Sequence, residues 1–171
     1  MKTTLKTLFG FILFVAVCAM GMIVPVDAAD SRYWVEEEYS SFTPIETDDV
    51  SALVNTVNEQ RAMAGQLPLR QTSELTSAAA IRAKEASQLW SPYHTRPNGK
   101  AFNSVNPKVV FAENLAYVEA CGYSPEYVTS MWVNSRSHAA NIFDPEFRTM
   151  GIAWYMDSET GILYIAQEFG Y

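Results

Sequence analysis

The sequence predicts an α+β fold in which helices come first and cover a small antiparallel sheet. Two observations carry this. Apolar residues recur at helical spacing through the first half, as Val50, Leu53, Val54 and Val57 and then as Leu75, Ala78, Ala79, Ala83, Ala86 and Leu89. Residues 147–156 and 162–169 are instead rich in β-branched and aromatic residues, and the turn-forming run Asp157-Ser158-Glu159-Thr160-Gly161 joins them as a hairpin. Helices followed by an antiparallel hairpin define the α+β class.

The elements follow in order. Thr47 caps the first helix, Asp48 and Asp49 oppose its dipole in the first turn, and Gly65 closes it. Gln66-Leu67-Pro68-Leu69 is a connector. The second helix opens near Ser73 and runs to about Trp90, its alanines implying close approach to a neighbouring helix or sheet. Residues 91–108 form a long irregular segment, of the kind that often carries function. Ser124-Pro125-Glu126 starts a third helix with a cap, a proline and an acid, leading through Val128, Met131 and Trp132.

Ahead of these elements, Lys2 and Lys6 precede an apolar stretch from 8 to 24, with no further charge before Asp27 and a small-residue cleavage site at Val26-Asp27-Ala28. Residues 1–28 read as a secretory signal peptide, an uncleaved membrane anchor being the alternative. Either reading exports the chain, and cleavage leaves a secreted, extracellular protein with no stable membrane insertion. Residues 29–47 form an acidic leader with Glu36, Glu37 and Glu38, whose Tyr33, Trp34, Tyr39 and Phe42 are expected to pack rather than stay disordered. Residues 48–171 are one domain, long enough for a real core. The net charge of −7 makes nucleic acid and anionic lipid poor partners. Of the two cysteines, Cys18 lies in the signal, so no internal disulfide can form, and Cys121 is expected to be a buried bystander.

The chain has two histidines. His94 lies in Ser91-Pro92-Tyr93-His94-Thr95-Arg96-Pro97-Asn98-Gly99, too rich in Pro, Asn and Gly for a regular element, and His138 is expected at the end of the third helix. Glu113 falls inside the apolar run Val109-Val110-Phe111-Ala112-Glu113-Asn114-Leu115-Ala116. A carboxylate there needs a cation, a donor or a metal, and two imidazoles could supply any of these.

The order of motifs adds a resemblance. Asn58-Glu59-Gln60-Arg61 with Gly65, then His94-Thr95-Arg96-Pro97-Asn98-Gly99, Glu113-Asn114-Leu115-Ala116, Trp132-Val133-Asn134-Ser135, His138-Ala139-Ala140-Asn141-Ile142, and Gly151 with Gln167-Glu168-Phe169-Gly170 follow one another. From about Val50 to Tyr171 this resembles the CAP superfamily (cysteine-rich secretory proteins, antigen 5 and pathogenesis-related proteins), in its bacterial SCP-like branch. The resemblance implies an α-β-α sandwich and a cavity lined by two His and two Glu, which in some members binds zinc or another divalent ion. His94, His138 and Glu113 match three of those positions. Ser135 stands where eukaryotic members have the second glutamate, and Glu119 or Glu126 could compensate only if the fold brings them in.

His94, Glu113 and His138 therefore form the candidate metal set, and with Ser135 the candidate cavity. Glu113 could also orient a histidine from behind, or the three could simply satisfy one another as a buried polar network. The reading is an exported binding module for a divalent cation or a small or lipid-like ligand, more an absence of catalysis than an enzyme. A metal-dependent extracellular hydrolase and a protein-interaction module are the alternatives. Ser135 or Ser137 beside His138 gives no Gly-x-Ser-x-Gly turn or oxyanion hole, and Cys121 has no activating signature. Arg61 and Arg96 are expected to make structural ion pairs or cap carbonyls, Trp132 to anchor the core, and Asn114 to fix a loop.

Overall fold

Helix α1 (Thr47–Met63) forms where the apolar spacing requires, with Leu53 and Val57 buried, and Gly65 follows it in the left-handed region at φ 73. The structure, a computed structural model, describes residues 47–171; the signal peptide assigned to 1–28 and the acidic leader up to residue 46 lie outside the described residues. No helix among the described residues is long and apolar enough to cross a membrane.

Helix α2 (Ser73–Gln88) is capped by Thr72, whose hydroxyl accepts from the Leu75 N–H at 3.3 Å. It stops short of Trp90. Leu89 is extended and exposed, so the buried stripe ends at Ala86. Helix α3 (Pro125–Asn134) starts as read, Ser124 Oγ accepting from the Tyr127 N–H at 3.1 Å. His138 was expected to end that helix, but Ser135 is extended (φ −92, ψ 120) and a second, seven-residue helix α4 (Arg136–Ile142) begins after it. The Ser135 carbonyl accepts from Ala139 N–H at 2.8 Å, which restarts the helical ladder and places His138 inside α4.

Four strands form one sheet: β1 (Arg70–Gln71), β2 (Ala112–Glu119), β3 (Thr149–Asp157) and β4 (Ile162–Gly170), in the order β1-β3-β4-β2. The expected hairpin is β3–β4. The sheet is mixed rather than wholly antiparallel, because β1 pairs parallel with β3. Strand β2 is antiparallel to β4 and forms the opposite edge.

Side chains alternate across this sheet, and register assigns them to faces. Val118, Ala116, Ile165, Leu163, Ile152, Met150 and Phe169 share one face, where they meet Leu53 and Val57 of α1, Val128 and Trp132 of α3 and Ile142 of α4. Leu115, Ala166 and Ala153 share the other, against Ala79 and Ala83 of α2. This is an α-β-α sandwich. Trp132 is 1% exposed and its indole N–H reaches the Leu115 carbonyl at 3.4 Å. Trp132→Ala is expected to cost about 3–5 kcal/mol in urea unfolding, the range for emptying a large aromatic site.

Arg61 is buried and caps carbonyls, as expected. Its guanidinium donates to the Leu67 carbonyl at 2.7 Å, the Asp144 carbonyl at 3.1 Å and the Ile142 carbonyl, tying α1 to the end of α4.

Candidate functional site

Strand β2 puts Glu113 on the α2 face, since it pairs in register with Glu168 of β4, which in turn pairs with Gly151 of β3. Gly151 sets the distance to α2. A Cβ there would lie 2.1 Å from the Leu75 carbonyl carbon and the Thr76 nitrogen, so the helix backbone rests directly on the strand. Arg82 lies on the stripe of α2 that also buries Ala78, Ala79 and Ala86. It is itself 2% exposed and reaches Glu113 with two parallel bonds, Nε to Oε2 at 2.6 Å and Nη2 to Oε1 at 3.1 Å. Its remaining Nη1 donates to Glu85 at 2.8 Å.

Glu85 holds the next link. It accepts from Arg96 Nη2 at 2.6 Å and Nε at 2.9 Å, and Arg96 Nη1 donates to Ser104 Oγ at 3.1 Å. Arg96 thereby pins the irregular segment to α2. Within that segment Thr95 and Ala101 form an isolated antiparallel bridge, and the Arg96 N–H bonds the Lys100 carbonyl at 2.9 Å. His94 precedes the bridge with φ 58, the one non-glycine positive φ among the described residues. Its Nδ1 lies 2.7 Å from Glu113 Oε1, with 29% of the side chain exposed.

The chain Arg96–Glu85–Arg82–Glu113–His94 is thus continuous. Burial by itself would raise the Glu113 carboxyl, but hydrogen bonds from His94 and Arg82 and the charge of Arg82 hold it below the usual carboxylate range. Burial acts likewise on Glu85, where Arg96 and Arg82 outweigh it. Glu113 is ionised and accepts only, so the His94 Nδ1 carries the proton of that bond.

His138 arrives from the other layer. Its backbone carbonyl accepts from Asn114 Nδ2 at 3.3 Å, and Asn141 of the same helix donates to Asn114 Oδ1 at 2.9 Å and to the Glu113 carbonyl at 3.2 Å. Asn114 also donates to Gln167 Oε1 at 3.0 Å. Asn114 therefore docks α4 on the β2 edge rather than fixing a loop. The His138 ring is half-buried and makes no hydrogen bond to Glu113. Burial first, then the charge of His94, push its pKa below 6.5.

The expected trio is therefore a bonded pair, His94 and Glu113, with His138 within electrostatic range. Ser135 stands at the N-terminal end of α4 without a side-chain cap bond, and its hydroxyl lies 3.3 Å from that of Ser137. Glu119 ends β2 opposite Ile162, and Glu126 sits in the first turn of α3. The second carboxylate of the site is Glu168. Sequence reasoning quoted it without a role, although a Glu beside Ala166 and Phe169 in a strand carries the same buried-charge signal as Glu113. Arg82 was missed too, although it falls at helical spacing from Ala78, Ala79 and Ala86. Cys121 is exposed, not buried, with its thiol 3.9 Å from Glu119 Oε2. Two hollows, of about 190 Å³ by Arg70, Lys108 and Tyr171 and about 410 Å³ by Tyr117, Tyr127 and Ile162, lie away from His94, Glu113 and His138.

A zinc or similar centre needs three or four donors converging on one point. Glu113 already accepts from Arg82 and His94, and the other donors of the expected set are two imidazoles. No group of three or more His, Cys, Asp or Glu side chains among the described residues is placed to hold a metal ion. As the side chains stand, His94, Glu113 and His138 are not drawn together as three ligands.

The fold and this buried carboxylate chain define an α-β-α domain with a polar seam between α2 and the sheet. The family model described as the CAP, cysteine-rich secretory protein family matches residues 54–169, and the chain belongs to that family. Among solved structures, an outer surface protein of Borrelia burgdorferi is similar at TM-score 0.60 and 17% identity, over 72% of this chain and 92% of that one. An extracellular SCP-domain protein of Bacillus anthracis gives 0.57 and 15% over 76% and 44%, and a cysteine-rich secretory protein of Staphylococcus aureus 0.54 and 19% over 75% and 40%. The chain spans less than half of the latter two, and at these identities the likeness is one of fold. No curated protein sequence matches it.

Proposed function

We propose that the protein is an exported binding module, not an enzyme, presenting His94 and His138 to a small polar or lipid-like ligand while Glu113 works from behind His94. The observation that carries this reading is the Arg82–Glu113–His94 chain. A buried, doubly engaged carboxylate fixes an imidazole whose own backbone is held in the left-handed region. Such over-determined conformations cluster at ligand clamps. With Nδ1 turned to Glu113, Nε2 is the ring atom left for a ligand. His138, whose pKa burial lowers, adds a second imidazole. Ser135 faces Ser137 and the Glu113 carboxylate is paired with Arg82, so neither a triad nor a carboxylate base supports hydrolysis. Export rests on the charged-then-apolar N-terminal segment and agrees with the outer-surface and extracellular descriptions of the structural relatives.

Thermal-shift screening of small-molecule and lipid libraries on wild type, His94→Ala and His138→Ala tests the site. Ligand present at 100 times its Kd should stabilise wild type by about 2.7 kcal/mol, and both variants should lose most of that. Hits that shift all three proteins equally would move the binding surface elsewhere. Calorimetric zinc titration separates the resident-metal alternative: weak heat is expected, and a tight one-to-one isotherm abolished by Glu113→Gln would restore the carboxylate as a ligand.

A further inference from the structure

Glu168 is buried at 0% exposure, and neither of its carboxyl oxygens meets an N–H or O–H donor as the side chains stand. Its surroundings are fully specified by the fold. Across β2 it faces Glu113, across β3 it faces Gly151, which has no side chain, and from α2 it faces Arg82. Each Arg82 nitrogen already bonds another carboxylate, Nε and Nη2 on Glu113 and Nη1 on Glu85, and none bonds Glu168. His94 lies beyond Glu113 on its other side.

Charge balance decides the state of this group. With His94 neutral, two guanidiniums, Arg82 and Arg96, face two carboxylates, Glu85 and Glu113, and they match without Glu168. An ionised Glu168 would be an unmatched charge sealed from water, the most costly arrangement a side chain can adopt. Two ionised carboxylates also have only acceptors to offer each other, whereas one proton between them makes a hydrogen bond.

We propose that Glu168 is a positioning residue of the His94 site, a neutral carboxylic acid at physiological pH whose proton bonds Glu113 and leaves Glu113 as the one negative charge shared by Arg82 and His94. Burial, then the charge of Glu113 and the bond to it, push the Glu168 carboxyl well above the usual range, against the pull of Arg82. Glu113 moves the opposite way, so the pair divides into an acid and a base holding one proton. Four bonds then fix Glu113 (two from Arg82, one each from His94 and Glu168), and the carboxylate has no freedom to release the imidazole.

The pH consequence has a definite sign. Folded Glu168 keeps a proton that the unfolded chain gives up above about pH 4.5, so its contribution to stability is full below that value and declines as pH rises toward the folded pKa. The inference holds whether or not the His94–His138 face takes a ligand, so an empty screen leaves it intact.

Carbon-13 NMR of the protein labelled at glutamate carboxyls tests it directly. At pH 7 wild type should show one carboxyl resonance at the protonated position, absent from Glu168→Gln, and the wild-type stability should fall relative to that variant as pH rises above about 4.5 in denaturant titrations. Glu168→Gln, which retains a neutral donor, should keep the His94 Nδ1–H resonance, whereas Glu168→Leu, neutral without a donor, should broaden or shift it. A spectrum of wild type alone in which every glutamate is ionised at pH 7 would overturn the proposal, as would parallel stability curves.

Discussion

Arg82→Met should destabilise the fold by about 3–5 kcal/mol, read as a lower urea midpoint at unchanged m-value. The methionine fills the guanidinium's space under α2 but leaves Glu113 buried with only His94 and Glu168 as partners, and removing one member of a buried pair strands the other. Arg96→Met is the internal control. That residue is partly exposed and bonds the rim carboxylate Glu85, so a loss of about 1 kcal/mol or less is expected. The Arg82 deficit should also shrink in acid. Arg82 helps to hold the folded Glu113 carboxyl below its unfolded value, so this stabilisation is present above the unfolded pKa and disappears as pH falls through the folded one. Equal losses in both variants, or a deficit independent of pH, would remove Arg82 from its central place.

Gly151→Ala should be at least as damaging, about 3 kcal/mol or more, because the added methyl meets main chain, not a side chain that can turn away. Its nearest neighbours, the Leu75 carbonyl carbon and the Thr76 nitrogen, sit at 2.1 Å. Relief requires α2 to lift from β3, and α2 carries Arg82 and Glu85. The substitution should therefore loosen the His94 segment as well as lower Tm, visible as faster amide exchange from Thr95 to Ala101. A Gly151→Ala protein of wild-type stability would mean that α2 does not rest on the strand as described.

The parts of this architecture legible from sequence were those with a regular apolar period and clear punctuation: α1, α2, the Ser124-Pro125-Glu126 start and the β3–β4 hairpin. Strand β2 was not assigned, because Glu113 and Asn114 interrupt its apolar run and the polar pair drew attention as chemistry. The break at Ser135 carries no glycine or proline to announce it. His94 and Glu113 were singled out because a carboxylate in an apolar run needs a partner, and the two lie 2.7 Å apart. The partner that dominates, Arg82, comes from a helix 31 residues earlier in the chain, and only the pairing of α2 with the sheet reveals it. Glu168 escaped for a related reason: its importance comes from lying opposite Glu113, and register is a property of the sheet.

The central claim is that Glu113 orients His94 through Nδ1 and leaves Nε2 as the ring nitrogen without that partner. Long-range proton–nitrogen NMR of the His94 ring, at a pH where it is neutral, measures this. A single Nδ1–H tautomer, with that proton slow to exchange in wild type and released in Glu113→Ala, is the result expected. An Nε2–H ring, or the tautomer mixture of a free imidazole, would contradict it.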